Sequence, residues 1–309
     1  MSIELTILGS SSATPTIDRF TSCQHLKMVD QHILIDCGEG AQMQMRRYKL
    51  KRSKLRYIFI SHVHADHILG LPGLVFSMNL LHREEPLHIF APKEMFELLD
   101  LFIKHSDTEL RFPIIRHVTQ AHDREVIFED TTLRVTSFPL YHRLPTTGFL
   151  FEEHDKLKRL DIDACNKFHI PFTHFTDIKK GKDYVSPDGK VVVLNEILTR
   201  PSTENLRYAY CSDTQFNEKV AEEVEGVNLL YHEATFLHDK LPRALETMHS
   251  TAMQAGQIAK MANAQKLLIG HFSSRYDDLR VLLNEAREEF PNTELATEGK
   301  RFTVGEQVN

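Results

Sequence analysis

Apolar, β-branched and aromatic runs of strand length recur along this chain and alternate with stretches of helical periodicity. The first, "IELTILG", runs into the small-residue loop "SSSATPT". "HILIDCGEGAQMQMRR" reads as strand, glycine turn and helix, and "PLHIFAP" followed by "KEMFELLDLFIKH" gives a second strand and helix. "YIFI", Tyr57 to Ile60, predicts a buried strand, and "ILGLPGLVFSMNLL" shortly after it resumes a helical apolar pattern. Two β-rich segments lie in "EVIFEDTTLRVTSFPLYH". After residue 205 the alternation returns as "LRYAYCSDT", "VNLLYHEAT", the helical "TAMQAGQIAKMA" and "KLLIGHFSSRY". Between these halves, at approximately 152–204, the pattern becomes charged and irregular, which predicts a protruding insertion. No linker rich in Gly, Ser or Pro divides the halves, so the expectation is an α/β fold in one domain, 1–309, carrying an arm insertion.

Composition changes this picture little. With 41% hydrophobic and 26% charged residues over 309 positions, the chain is ordinary for a globular protein. It has no apolar run of about 18 residues. "MSIELTILGS" lacks the basic-then-apolar pattern of a secretory signal, so a soluble, cytoplasmic protein is expected. Cys23, Cys37, Cys165 and Cys211 are far apart and form no C-x-x-C pair, which points to reduced structural thiols. A net charge of −6 argues against a surface coated in positive charge. Charge is nonetheless clustered in "MRRYKLKRSKLRY", where Arg46, Arg47, Lys49, Lys51, Arg52, Lys54 and Arg56 precede the Tyr57 strand. Phosphate binding and a solvated helix end both account for that cluster, and its nearness in sequence to the motif that follows favours phosphate.

That motif is "SHVHADH", Ser61 to His67, placed where a strand ends. Residues two apart on a strand project to one side, so His62 and His64 can hold one metal while the ensuing turn swings Asp66 and His67 toward a second. Imidazole with carboxylate suits zinc or another first-row divalent metal. A single histidine is more often an ordinary surface or core residue, but the density of H-x-H-x-D-H points to metal. His142 after "TSFPLY", Asp213 after "YAYCS" and His271 after "KLLIG" also end apolar runs. Together they make seven ligand-type residues, enough for two metals if Asp213 bridges. Taken separately, His142 and Asp213 read as structural.

"SHVHADH" resembles the signature of the metallo-β-lactamase superfamily. "GSSSATPT", "DCGEGAQMQ", "GLPGL", "SDT", "HEATF", "HST" and "GHFSSRY" resemble, in order and over almost the whole chain, its tRNA-processing branch, ribonuclease Z. The resemblance implies a four-layer αβ/βα sandwich with two Zn2+ per chain, Mn2+ being an alternative, at the edge where the sheets meet. It assigns His62, His64 and His142 to one ion and Asp66, His67 and His271 to the other, with Asp213 bridging. Such a pair makes a nucleophile from water at neutral pH and stabilises attacking and departing oxygens. Asp66 would also serve as general base, His249 of "HST" as proton donor to the leaving oxygen, and Glu233 of "HEAT" as its orienting partner. Two plainer readings stand beside these: His249 as the neighbour of a helix cap at Ser250 or Thr251, and Glu233 as a surface charge. Ser273 and Arg275 of "HFSSRY" offer hydroxyl and guanidinium donors to phosphate, unless Arg275 simply pairs with a nearby carboxylate.

Two regions depart from the family pattern. The loop that reads P-x-K-x-R-N in many relatives is "PTIDRF" here, Pro15 to Phe20, with Arg19 kept and Ile17 and Phe20 in place of lysine and asparagine. In the insertion, "IPFTHFTDIKKG" stands where the family has a Gly-Pro element, although Lys179, Lys180 and Lys182 keep the basic character of an arm that grips the tRNA body. A solvated loop is the alternative for these lysines. The resemblance therefore implies a zinc endoribonuclease that removes the 3′ trailer from precursor tRNA, leaving a 3′-hydroxyl on the tRNA and a 5′-phosphate on the trailer. It would act as a cytoplasmic homodimer without a membrane partner. The alternatives are a superfamily phosphodiesterase acting on a small or different nucleic-acid substrate, and a non-catalytic RNA-binding protein.

Overall fold

A computed structural model describes residues 2–153, 157–200 and 205–305. From the N-terminus run β1 (Ser2–Gly9), β2 (Cys23–Met28) and β3 (Gln31–Ile35). Then come α1 (Ala41–Arg47), β4 (Leu55–Phe59), the short α2 (Ala65–Ile68) and α3 (Gly70–Leu80). β5 (Leu87–Ala91), α4 (Lys93–His105) and β6 (Ile114–Val118) complete this half. β7 (Glu125–Glu129), β8 (Leu133–Leu140) and β9 (Thr146–Glu153) begin the second sheet.

The segment expected to be irregular is built differently. It contains β10 (Arg159–Leu160), α5 (Ile162–Lys167), α6 (Phe175–Lys179), β11 (Tyr184–Val185), β12 (Val192–Val193), α7 (Asn195–Leu198) and β13 (Thr199–Arg200). Its strands pair as two ribbons, β10 with β13 and β11 with β12. A small core of Cys165, Ile170, Ile178, Tyr184, Val193 and Leu198 holds them. Asn195 lies buried in that core and donates from Nδ2 to the carbonyls of Ile178 and Lys182 at 2.6 and 2.9 Å. Its apolar residues are too sparse for a regular period, so the sequence pattern hid the elements. Glu153–Asn205 with Asp130–Thr132 forms one compact unit, and the rest of the chain forms the other.

The chain continues with β14 (Arg207–Cys211), α8 (Glu218–Glu223), β15 (Leu229–Glu233), α9 (Leu241–Thr247), α10 (Ala252–Met261) and β16 (Leu267–Gly270). It closes with α11 (Arg280–Glu289), β17 (Thr293–Leu295) and β18 (Arg301–Gly305). The larger unit holds two seven-stranded sheets, ordered β18-β1-β2-β3-β4-β5-β6 and β17-β16-β15-β14-β9-β8-β7. Alternation along β1 sends Ile3, Leu5 and Ile7 inward, where they share a core with Phe149, Phe151, Tyr208 and Tyr231 of the second sheet. Phe59 stacks on Phe90 in this layer at 4.4 Å. Leu71, Leu74 and Val75 of α3 and Met95 and Leu99 of α4 cover the other face of the first sheet. Val220, Ala255, Ile258 and Leu282 from α8, α10 and α11 cover that of the second. The result is the four-layer αβ/βα sandwich.

β3, β4, β5 and β6 are parallel, as are β14, β15, β16 and β17. Ligands in open α/β sheets gather beyond the carboxyl ends of such strands. "SHVHADH" follows the carboxyl end of β4, whereas the basic run Lys51–Arg56 lies at its start. Nearness in sequence therefore does not make the basic cluster a neighbour of the motif, because an extended strand intervenes.

Candidate active site

The ends of three strands turn through left-handed backbone at a polar residue. Asp36 follows β3 at φ 53°, Asp213 lies beyond β14 at φ 55°, and His271 follows β16 at φ 58°. Non-glycine residues are disfavoured in this region, by about 1 to 3 kcal/mol each, and persist where surrounding structure over-determines them. Two of these turns aim Asp213 and His271 at one point, and the third places Asp36 behind His67. Gly38 lets the "DCGEG" loop press against the short helix α2: a Cβ there would lie 2.4 Å from the Asp66 carbonyl oxygen.

The seven residues singled out in the sequence come together. His62 Nε2 faces His64 Nδ1 at 2.9 Å, and His142 Nε2 faces the same His64 nitrogen at 3.2 Å. Asp213 stands between two sets. Its Oδ2 lies 3.6 and 3.7 Å from Nε2 of His62 and His142, and its Oδ1 lies 3.1 and 3.2 Å from Nε2 of His67 and His271. Asp66 Oδ2 joins the second set, 3.5 Å from His67 Nε2 and 3.4 Å from His271 Nε2. His64 is half-buried, while His62, Asp66, His67, Asp213 and His271 are buried.

These separations suit a divalent cation. Donors at about 2.0 to 2.1 Å from a tetrahedral ion lie about 3.3 Å from one another. His67 Nε2 is buried without a hydrogen-bond partner although two carboxylates lie close, so the three groups face a shared point. Burial opposes ionisation of Asp213, but His271, His67 and His62 outweigh it and hold the carboxyl well below its ordinary range. Burial likewise opposes a charge on His67, yet Asp213, Asp66 and Asp36 together hold that ring well above its ordinary value. Burial lowers His62, His64 and His142, leaving neutral rings whose nitrogens can ligate. The site is thus an anionic, imidazole-rich pocket fit for divalent metal.

Residues without an assigned role in the sequence reading hold these groups in place. Asp36 accepts from Ser61 N at 2.8 Å, Ser61 Oγ at 2.9 Å and Tyr210 Oη at 2.6 Å, and faces His67 Nδ1 at 2.7 Å. It fixes His67 with Nε2 toward the ligand set. Thr235 Oγ1 lies 3.0 Å from His271 Nδ1 and does the same there. Ala13, at φ 57°, donates its N–H to Asp66 Oδ2 at 2.8 Å. Glu298 Oε1 secures the neck of that loop by accepting from the N–H groups of Ser10 and Phe20 and the Ser10 hydroxyl at 3.0 to 3.2 Å. Asp36 had a legible signal, an aspartate closing an apolar run just as Asp213 does. Thr235, Ala13 and Glu298 had none, since only folding brings them near.

His249 Nδ1 lies 2.7 Å from Glu233 Oε1. Glu233 is fully buried, so it is not a surface charge; it also accepts from the Thr214 N–H and from the N–H and hydroxyl of Thr235. Burial opposes a charge on His249, but Glu233 outweighs it and carries the ring up to about 9. The cap of α10 is Thr251, in a capping box with Gln254, so His249 does have a capping neighbour and still pairs with Glu233. Arg275 is exposed, packs 4.9 Å above the Phe236 ring and donates from Nε to Ser273 Oγ at 3.1 Å. Among the described residues it has no carboxylate partner. Arg19 clamps the first loop to this segment through the carbonyl oxygen of Tyr276 at 2.9 Å, while Ile17 stands 98% exposed. Lys179, Lys180 and Lys182 are exposed in the smaller unit, Lys182 facing Asp177 at 3.3 Å. All four cysteines are buried and free. No helix among the described residues is long and apolar enough to cross a membrane.

Residues 3–106 match the family described as Anti-Pycsar protein Apyc1. Ribonuclease Z of Bacteroides fragilis is 46% identical over 295 residues, covering 96% of this chain and 97% of that protein. Ribonuclease Z of Bacteroides thetaiotaomicron is 44% identical over 301 residues, covering 97% and 95%. Among solved structures, the short form of human tRNase Z superposes with a TM-score of 0.70 at 24% identity, covering 99% of this chain and 100% of that one. The metallo-β-lactamase fold protein YhfI of Bacillus subtilis gives 0.69 at 18% identity, covering 98% and 99%. With the identity to the Bacteroides proteins sustained over nearly the whole of each chain, this protein belongs to the ribonuclease Z family and has the metallo-β-lactamase fold.

Proposed function

We propose that this protein is a metal-dependent endoribonuclease that removes the 3′ trailer from precursor tRNA, leaving a 3′-hydroxyl on the tRNA and a 5′-phosphate on the trailer. The observation that carries this reading is Asp213, whose two oxygens each face a separate set of imidazoles in a chain of the ribonuclease Z family. His62, His64 and His142 would hold one zinc ion, Asp66, His67 and His271 a second, and Asp213 would bridge them. Bound there, a metal pair supplies Lewis acidity that generates the nucleophile from water and neutralises charge on the phosphoryl oxygens. Mn2+ would suit the same nitrogen and oxygen donors.

The chain's own residues do the remaining work. Asp66, held by the Ala13 N–H, orients the attacking water in line with the scissile bond. Glu233 occupies His249 Nδ1, so the imidazole presents Nε2 as the proton donor to the departing ribose oxygen. Ser273 and Arg275 offer a hydroxyl and a guanidinium to the phosphate. The lysines of the 152–204 insertion grip the tRNA body through its backbone. A cytoplasmic homodimer, in which one subunit's insertion holds the tRNA cut by the other, belongs to the same reading.

The test uses purified protein with end-labelled precursor tRNA and with bis(p-nitrophenyl) phosphate, each with and without chelator. Both substrates should be cut, and chelator should stop both. Hydrolysis of the small diester with intact precursor tRNA would replace this reading with that of a small-substrate phosphodiesterase. Zinc content near two per chain and sedimentation at twice 35.7 kDa test the metal and dimer assignments.

A further inference from the structure

The basic turn that the proposed chemistry does not use borders a polar cavity on the outer face of the first sheet. Cross-strand register sets Thr6 opposite both His25 and Arg301, and Lys27 opposite both Glu4 and His32. These side chains therefore share one face, away from the inter-sheet core. The helices covering the rest of that face leave a cavity of about 210 Å³ here, bordered by Lys49, Lys51 and Lys54 as well. Thr6 and His25 form its buried floor, 3% and 4% exposed. A ring nitrogen of His25 lies 3.1 Å from one of His32.

The charge here is one-sided. Lys27, Lys49, Lys51, Lys54 and Arg301 line the cavity against a single acid, Glu4, which Lys27 already neutralises at 3.0 Å. Among the described residues Lys49, Lys51 and Lys54 have no ion-pair partner. Clustering of like charge is unfavourable, and it occurs in a chain whose net charge is −6, so it is not a general basic background. Lys49 adds a second oddity: it follows α1 in the left-handed region at φ 59°, a position that favours Gly or Asn. The turn keeps a cation where an uncharged residue would fit the backbone better. A larger cavity of about 690 Å³ shares Lys49 and Lys51 with the smaller one and adds Arg46, Arg52 and Arg83 against Glu84 and Glu85, so the excess of cations continues beside the turn.

We propose that the turn Lys49–Lys54 and this small cavity form a second, non-catalytic site for the phosphodiester backbone of the RNA substrate. Pockets for whole small ligands usually span about 300 to 1,000 Å³, so a cavity of about 210 Å³ suits one phosphate group of a longer strand whose neighbouring phosphates meet the other lysines of the turn. The length of β4, five residues or about 17 Å, separates the site from the metal-ligand motif. A phosphate bound here belongs to a part of the RNA remote from the cut and adds affinity without reading sequence. The inference rests on the endoribonuclease reading for the identity of the RNA.

The test compares the full-length protein with the triple variant Lys49→Asn, Lys51→Gln, Lys54→Gln, in which Asn tolerates the left-handed turn. Dissociation constants for precursor tRNA are measured with chelator present across a salt series. Loss of three phosphate contacts should raise the constant about tenfold or more at ~0.1 M salt and flatten the slope of log affinity against log salt by about two. Hydrolysis of bis(p-nitrophenyl) phosphate should stay at the wild-type rate, reporting an intact fold. An unchanged constant, or a weaker one with an unchanged slope, overturns the proposal. So does loss of inorganic phosphate binding with RNA affinity retained. If the triple variant misfolds, Lys51→Gln alone must flatten the slope by about 0.7, and no change overturns the proposal. Wild-type protein that binds duplex RNA through these lysines but cuts no precursor tRNA would refute the endoribonuclease reading and leave the site standing.

Discussion

The two ends of β4 treat charge in opposite ways. Beyond its carboxyl end, His62 and His67 are buried with Asp213, and the groups there are held twice over: His67 by Asp36 and Asp213, Asp66 by the Ala13 N–H beside His67 and His271. Before its first residue, Lys51 and Lys54 stand at the surface without a partner among the described residues. Buried ionic groups are tolerated only with their partners in place, and that enforced pairing gives the fixed geometry a metal site needs. Solvated lysines need no such scaffold and act through charge density alone. Chemistry and affinity thus ask different things of the same strand.

The largest effect expected from single changes lies at the buried end. His249→Ala should lower kcat by about 10² to 10⁴ while bound metal is retained, because His249 is proposed to move a proton and not to ligate. Metal analysis beside the diester assay checks this, and metal lost together with activity would move His249 into the ligand set. Glu233→Gln should fall in the same direction by a smaller factor.

His25 breaks the simple contrast, being a buried titratable group beside the basic turn. Burial first, then His32, Arg301 and Lys27, lowers its pKa from an ordinary 6.5 to about 4. Between those values the unfolded chain binds a proton that the folded protein refuses. The stability contribution is therefore present above pH 6.5 and lost as pH falls toward 4, by about 3 kcal/mol in all. His25→Gln should flatten that part of the acid-unfolding profile, and a profile unchanged from wild type would show that other groups dominate it.

Asp36→Asn sharpens the comparison at the buried end without touching a proposed ligand. It weakens the hold on His67 Nδ1, and changes in such supporting partners lower metal affinity by about 10- to 100-fold. Competition with a chelator of known affinity measures it, and unaltered affinity would mean that packing alone orients His67. At the exposed end, Lys51→Gln should change unfolding free energy by no more than about 0.5 kcal/mol, readable by urea denaturation. A larger loss would show that the turn depends on this lysine for its fold.

Strand and helix patterns of the sandwich were legible because its apolar runs are long and bounded by glycine or polar turns, as in "HILIDCGEG" and "KLLIGHFSS". The residues 153–205 were not, because their six-residue core is spread over elements two to six residues long, too short to display a period. The ligand-type residues were legible for a different reason. His62, His64, Asp66 and His67 are dense in sequence, and His142, Asp213 and His271 each terminate an apolar run, which parallel strands bring to one edge.

Residue type and order along the chain were enough to specify an α/β fold, the ligand-type side chains and the excess of lysine before β4, since period, turn chemistry and charge are local properties, while the two-sheet sandwich was expected only from the family resemblance. Three things required the fold itself: the division of Asp213's oxygens between two imidazole sets, the hold of Asp36 on His67, and the pairing of His249 with a buried Glu233. Each joins residues whose separation in space is set by strand order and by left-handed turns at strand ends. The partner that each such side chain meets leaves no local signature, because it is settled only when distant segments of the chain pack together.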